Sequence, residues 1–271
     1  MTVYRGTEGT RPYAGAGWYY AEYRQRISAE FIALLAKRLG WTRADRVLDL
    51  GAGPGQLSLL AAPFVAGVVA VEPEPDMVVE GERRVRVLGA DNVTFVTAGS
   101  DDLPALRSSL GRFRTALMGM SFHWMVEKDR VLHDLSAMID ETDGSVAFVT
   151  PSRVTTPDEL EAAQKTVHKI LERYLADVPP GPHPNRRHDP FEEILARSSF
   201  PRVETLDRVY KASVRPTIES LVGAEYTISH VLTRLGDRRE AFERQVRVAL
   251  GSLELGEIWV TQRDEALIGL R

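Results

Sequence analysis

From Arg46 onward, short β-branched apolar runs alternate with longer amphipathic stretches, and this alternation constrains the fold more than any other feature. The runs are RVLDL (46–50), GVVAVE (67–72), NVTFVTA (92–98), TALMGM (115–120) and SVAFVT (145–150). Each is short, nearly continuous in apolar character and bounded by turn residues, as expected of strands buried on both faces of a parallel sheet. Segments of helical period lie between them: in DRVLHDLSAMI (129–139), Val131, Leu132, Leu135 and Ile139 fall on one face. Regular β-α alternation predicts an α/β fold, a doubly wound sheet with helices on both sides.

The flanks are more helical. Residues 17–40 read as one or two helices, with Ser28 an N-cap. Beyond the fifth run, residues 157–178 form a long amphipathic helix with Leu160, Ala163, Val167, Ile170, Leu171 and Tyr174 inward. A proline-rich loop (179–190), a helix near 190–198, a strand (203–213), two helices within 216–252 and a closing strand (257–270) follow. The expected organisation is an N-terminal helical segment (1–40) and a core (41–155). Residues 187–213 and 255–271 complete the sheet, and helical insertions at 156–186 and 214–254 form a cap.

Composition narrows the chemistry. The 271-residue chain holds no cysteine, which excludes disulfides, thiolate metal sites and thiol nucleophiles. Its six histidines have no metal-ligand spacing, so no metal is expected. A net charge of −4 argues against a phosphate-tracking surface, and no nucleic-acid partner is expected. No apolar run approaches the length of a membrane helix and no leader is apparent, so the expected setting is cytoplasmic, away from membranes.

The loop after the first run carries the functional signal. In LDLGAGPGQ the glycines stand at 51, 53 and 55. A dinucleotide loop would place its third glycine at 56, which is Gln56, and the Gly-Lys-Ser/Thr of a phosphate loop is absent. Glu72 ends the second run, 21 residues after Gly51, where a carboxylate can accept both hydroxyls of a ribose. Asp49 lies just before the glycines, where it would repel a diphosphate and attract a cationic amino-acid moiety.

These residues, with GSDDLP (99–104) and SFHWM (121–125), resemble the Rossmann-like small-molecule S-adenosylmethionine-dependent methyltransferases. YAEYR (20–24) and LGDRREAFERQV (235–246) are similar to segments of the branch containing trans-aconitate methyltransferase and bacterial biosynthetic relatives. The resemblance implies a seven-stranded, mostly parallel sheet, S-adenosylmethionine as cofactor and a small-molecule methyl acceptor, as in secondary metabolism. It implies that Asp49, Gly51, Ala52, Gly53, Gly55 and Gln56 hold the methionine end, Glu72 the ribose, and Ser100 and Asp101 the adenine. The family often has an aspartate where this chain has Gly99. Tyr20, Tyr23 and Arg24 would reach the cofactor from the N-terminal helix, and Met120 would present backbone to it.

His123 is the candidate general base, its usual pKa suiting neutral pH; the alternative is a helix-entry residue packing its loop. Trp124 reads more readily as core than as a cofactor contact. Arg186 and Arg187 form either a lid for an acidic substrate or a solvated connection, and His230 either lines a substrate pocket or packs a helix. Two other functions are open: a non-methylating S-adenosylmethionine-binding protein that keeps the same loop, and a nicotinamide-dependent oxidoreductase, which Gln56 disfavours.

Overall fold

A computed structural model describes residues 11–181, 189–251 and 256–271. Seven strands form one sheet: β1 (Arg46–Leu50), β2 (Gly67–Glu72), β3 (Val93–Thr97), β4 (Thr115–Gly119), β5 (Ser145–Thr155), β6 (Arg202–Val214) and β7 (Ile258–Leu270). Their order is β3-β2-β1-β4-β5-β7-β6, and β1 to β5 pair in parallel. The closing strand β7 runs antiparallel to both β5 and β6. The expected doubly wound, mostly parallel, seven-stranded sheet is present.

Alternation along each strand divides the apolar residues between two layers. Leu48 and Leu50 of β1, Met118 of β4 and Phe148 of β5 pack on one side, with α6 (Lys128–Ser136), α8 (Phe191–Ala196) and Leu103 of α5 (Leu103–Leu110). Val47, Leu117, Ala147 and Val149 pack on the other, against α2 (Ala29–Leu39) and α3 (Gln56–Ala61). α4 (Pro75–Leu88) joins β2 to β3. Ser28 caps α2 as expected, its hydroxyl accepting from the Phe31 N–H. α1 (Gly17–Tyr23) is separate, because the chain turns extended at Arg24.

The later helices have a core of their own. α7 (Asp158–Leu175), α9 (Ile218–Glu225), α10 (Val231–Leu235) and α11 (Arg239–Leu250) bury Leu171, Tyr226 and Phe242 together with Val260 of β7. Where the sequence predicts two helices in 216–252, the structure has three. Gly236 and a short 3-10 turn separate α10 from α11. On α7 the inward set is as expected, except that Leu175 is fully buried and Tyr174 only partly.

Candidate functional site

In an open parallel sheet the crevice lies beyond the carboxyl ends of the strands, where the order reverses. Here that point is between β1 and β4, and a cavity opens there. Its walls include Gly51, Gly53, Glu72, Ala98, Gly99, Ser100 and Met120, with Tyr13, Tyr20, Trp124 and Met125 above them. A second, smaller chamber shares Tyr20, Gly51, Gly53, Gly119 and Met120 with the first. It continues past Asp49, Ala52 and Gln56 to Arg24, Gln25 and Pro151. The two chambers meet at the glycine loop.

The loop is built by its hydrogen bonds. The Gly51 and Ala52 N–H groups both donate to the Val71 carbonyl, at 2.8 and 3.1 Å, binding the turn to β2. Gly51 has φ +72°, and a Cβ there would lie 2.5 Å from Cβ of Ser121. That space is closed because the Ser121 hydroxyl donates to the Leu50 carbonyl at 2.6 Å. Gly55 serves differently: its φ of +75° starts α3, and Phe95 fills the space beside it. Gly55 does not line either chamber, so its expected contact with the cofactor gives way to a part in shaping the turn.

Glu72 is buried, and both carboxylate oxygens accept backbone donors, Oε2 from Gly53 at 2.8 Å and Oε1 from Glu74 at 2.9 Å. Burial pushes its pKa up to about 7, against the opposing effect of those two bonds. Asp49, also buried, accepts the Ser58 hydroxyl at 2.6 Å on Oδ2, while Oδ1 is without a hydrogen-bond partner. Burial pushes it up to about 6. Two desolvated carboxylates thus stand at the two ends of the loop, one facing each chamber.

The N-terminal segment closes the larger chamber. Arg11 pairs with Glu74 and, at 3.2 Å, with Asp76, and Gly15 N–H donates to Asp76 at 2.7 Å. Tyr13 is thereby set edge-on to Tyr20 and Trp124, with ring centroids 5.9 and 5.6 Å away. Trp124 also hydrogen-bonds the Tyr13 hydroxyl. Desolvation raises the pKa of both tyrosines, so their hydroxyls stay protonated donors at neutral pH. Gln56 ties α1 to the loop by donating to the Tyr20 carbonyl at 3.2 Å. At the junction, Met120 has φ +51°, an uncommon conformation outside glycine, and its N–H donates to Val149 at 3.1 Å.

The structure brings together Tyr20, Arg24, Asp49, Gly51, Ala52, Gly53, Gln56, Glu72, Ser100 and Met120 from the sequence reading. Besides Gly55, three others stand apart. Tyr23 lies against Gly223 of α9 and the Trp18 ring, stacked on Tyr19, which packs on the cap core. Asp101 is exposed; Asp102 instead turns inward, accepting the Gly99 N–H at 2.8 Å. His123 is absent from both chamber walls, since the 3-10 turn Phe122–Trp124 aims the next side chain, Trp124, into the cavity. Sequence reasoning missed Tyr13, Glu74 and Met77. The Arg186–Arg187 loop lies outside the described residues. His230, held by a bond from its N–H to the Pro12 carbonyl, lines neither chamber. Among the described residues no cluster could hold a metal ion, and no helix is long and apolar enough to cross a membrane.

Comparison with known proteins places this geometry. The structure resembles that of an Anaeromyxobacter dehalogenans protein assigned as a type II methyltransferase, with a TM-score of 0.57 and 22% identity. That likeness covers 92% of this chain and 98% of the other. A second, to the YcgJ protein of Bacillus subtilis, has a TM-score of 0.51 and 15% identity, over 90% and 99% of the two chains. The fold is that of the Rossmann-like methyltransferases. Residues 47–142, from β1 through α6, match the family model described as "Methyltransferase domain".

Among curated proteins, the chain is 39% identical over 77 residues to the 23S rRNA (uracil(1939)-C(5))-methyltransferase RlmD of Shewanella amazonensis. That match covers 27% of this chain and 17% of RlmD. It is 34% identical over 74 residues to a protein-L-isoaspartate O-methyltransferase of Dictyoglomus thermophilum, covering 27% and 34%. The matches span about a third or less of those relatives' length, so they bear on the domain and not on the acceptor.

Proposed function

We propose that the protein transfers a methyl group from S-adenosylmethionine to a small molecule. The observation that carries this reading is the pair of chambers joined at Gly51 and Gly53, with the Glu72 carboxylate on one side and Asp49 on the other. A nucleoside in the larger chamber would give its ribose hydroxyls to the free lone pairs of Glu72. Its base would lie along Ala98–Ser100 beneath Met125. The methionine end would enter the smaller chamber, its ammonium group beside Asp49 Oδ1 and its carboxylate toward Arg24. The sulfonium then falls at the junction, beside Tyr20 and the Met120 backbone.

Methyl transfer from a sulfonium is an in-line displacement with a good leaving group, so these residues contribute mainly alignment and exclusion of water. The Tyr20 face adds attraction for the cationic sulfur, on the order of 0.5–2 kcal/mol. His123 has no place in this scheme. A small acceptor is favoured because the N-terminal segment walls the chambers, Tyr13 and Tyr20 standing over the larger one.

Titration of the protein with S-adenosylhomocysteine by calorimetry tests the cofactor assignment. Glu72→Ala removes two charge-assisted hydrogen bonds to the ribose, about 1.5–3 kcal/mol, and should weaken binding about 10- to 100-fold. Unchanged affinity in that variant, with its fold intact by circular dichroism, would overturn the assignment.

A further inference from the structure

Along the elements that wall the smaller chamber, two buried hydrogen-bond donors have no partner, and one of them, on Arg153, stands just beyond the chamber's walls. Val149 and Pro151 of β5 form part of its wall, and Arg153 is the next residue on that same face of the strand, about 7 Å farther on. The register of β5 shifts just after Arg153, a bulge of the kind that re-aims side chains beside sites. The connection between α1 and α2 crosses over this place. Ser28 is fastened to Asp264, which pairs with Pro151, and Gln262, the next inward residue of β7, pairs with Arg153. Gln25 and Ile27 of that connection line the chamber above.

Two donors here are unsatisfied. Nε of Arg153 and Nε2 of Gln25 are buried without a hydrogen-bond partner. Arg153 makes no ion pair among the described residues, and its pKa is lowered by burial alone. Neither carboxylate of this region pairs with it: Asp264 accepts the Ser28 N–H and hydroxyl at 2.9 and 2.6 Å, and Asp49 accepts Ser58 on Oδ2 and keeps Oδ1 for the cofactor's ammonium group. A half-buried guanidinium with no counter-charge is unfavourable unless a bound anion completes it. The cofactor brings one carboxylate to this chamber, and Arg24, at its near wall, is placed to receive it. Arg153 is left over.

We infer that Arg153, with the Gln25 amide, anchors an anionic group of the methyl acceptor, so that the acceptor carries a carboxylate. The inference rests on the methyltransferase reading and adds the acceptor's charge and the residues that read it. The planar guanidinium fork matches a carboxylate, and the amide N–H supplies a third donor. The acceptor's remaining atoms would extend from Arg153 toward the chamber junction, where the methyl group is presented.

The test uses the whole protein saturated with S-adenosylhomocysteine and, in parallel, the protein alone. Both are titrated with malonate, succinate and benzoate and with the neutral diamides or amide of the same acids. We expect at least one carboxylate to bind and its amide not to. Arg153→Gln should weaken that carboxylate at least tenfold, with Arg153→Lys intermediate, while S-adenosylhomocysteine affinity stays within twofold. Arg24→Gln should do the reverse, weakening S-adenosylhomocysteine more than the probe acid. If no carboxylate binds the wild-type protein, or if Arg153→Gln binds it equally well, the inference fails. Failure of S-adenosylhomocysteine to bind strikes at the methyltransferase reading instead, and the titrations without it still decide whether the anion site exists.

Discussion

The two halves of the sheet are built to different rules. β1 to β4 have five or six residues each and stop where a loop begins, so four successive carboxyl ends converge on one crevice. β5, β6 and β7 have 11 to 13 residues and run on past that level. Their surplus length carries the helical cap, through Ala212, Val214, Ile258 and Val260, which pack with α7, α9 and α11. A short strand delivers a loop, whereas a long one delivers a platform. On the proposed reading, cofactor geometry belongs to the first half and the acceptor's surroundings to the second.

This division can be broken by one variant in each half. Gly51→Val forces a branched side chain into a φ of +72° and against Ser121. Strain and overpacking together are worth about 2–5 kcal/mol, and the loop must move, so S-adenosylhomocysteine binding should be lost along with much of the stability. Leu171→Ala opens a cavity in the cap core, where Leu171 is 2% exposed, at about 2–5 kcal/mol. Its stability loss, read by denaturant unfolding, is comparable, yet affinity for S-adenosylhomocysteine should stay within threefold. Equal loss of cofactor binding in both variants would show that the halves are not separable.

The same contrast explains what the sequence revealed. The parallel strands were legible because burial on both faces leaves unbroken β-branched runs in β1, β2 and β4, while the edge strand β3, largely part-exposed, kept enough of that character; the glycine loop was legible because positive φ angles demand glycine. Asp49, Glu72 and Met120 are fixed by their offset from strand ends, which is local information. Tyr13 was not legible: it reaches the cavity only because Arg11 and Gly15 are fastened to Glu74 and Asp76, more than 60 positions along the chain. Between neighbours on a turn, the sequence could not say which side chain faces inward. That depends on 3-10 geometry, and it separated Trp124 from His123 and Asp102 from Asp101. Arg153 drew no notice because a lone arginine in a strand has no motif; only its lack of a partner marks it.

A smaller effect sharpens the account of the first half. Burial holds the Glu72 carboxyl at about 7, above the ordinary glutamate value, so the folded protein keeps this proton over a range where the unfolded chain has lost it. Stability of the unliganded protein should accordingly fall as pH rises from about 4.5 toward 7 and level off above. Ligand binding has the opposite dependence, since ribose hydroxyls donate to the ionised form. Affinity for S-adenosylhomocysteine should rise at least tenfold from pH 6 to pH 8, with proton release on binding at the lower pH, and Glu72→Gln should cut the rise to about the twofold that Asp49 contributes. Calorimetry in two buffers of different ionisation enthalpy reads the proton directly; a flat profile in the wild type would refute the linkage.

The smallest expected effect concerns Asp101. Its side chain is exposed, and the turn it belongs to is held by Asp102, which caps the Gly99 N–H, and by Leu103, which is fully buried. Removing an exposed carboxylate at the start of a short helix changes stability by less than about 0.5 kcal/mol. Asp101→Ala should therefore leave S-adenosylhomocysteine affinity within twofold, whereas Asp102→Ala should release the Gly99 turn and weaken it severalfold. A tenfold loss in Asp101→Ala would mean that the Ser100–Asp102 turn rotates when the base arrives, bringing Asp101 inward. The adenine side of the site would then be formed by the ligand, and only the Gly51–Gly55 loop and Glu72 would be in place beforehand.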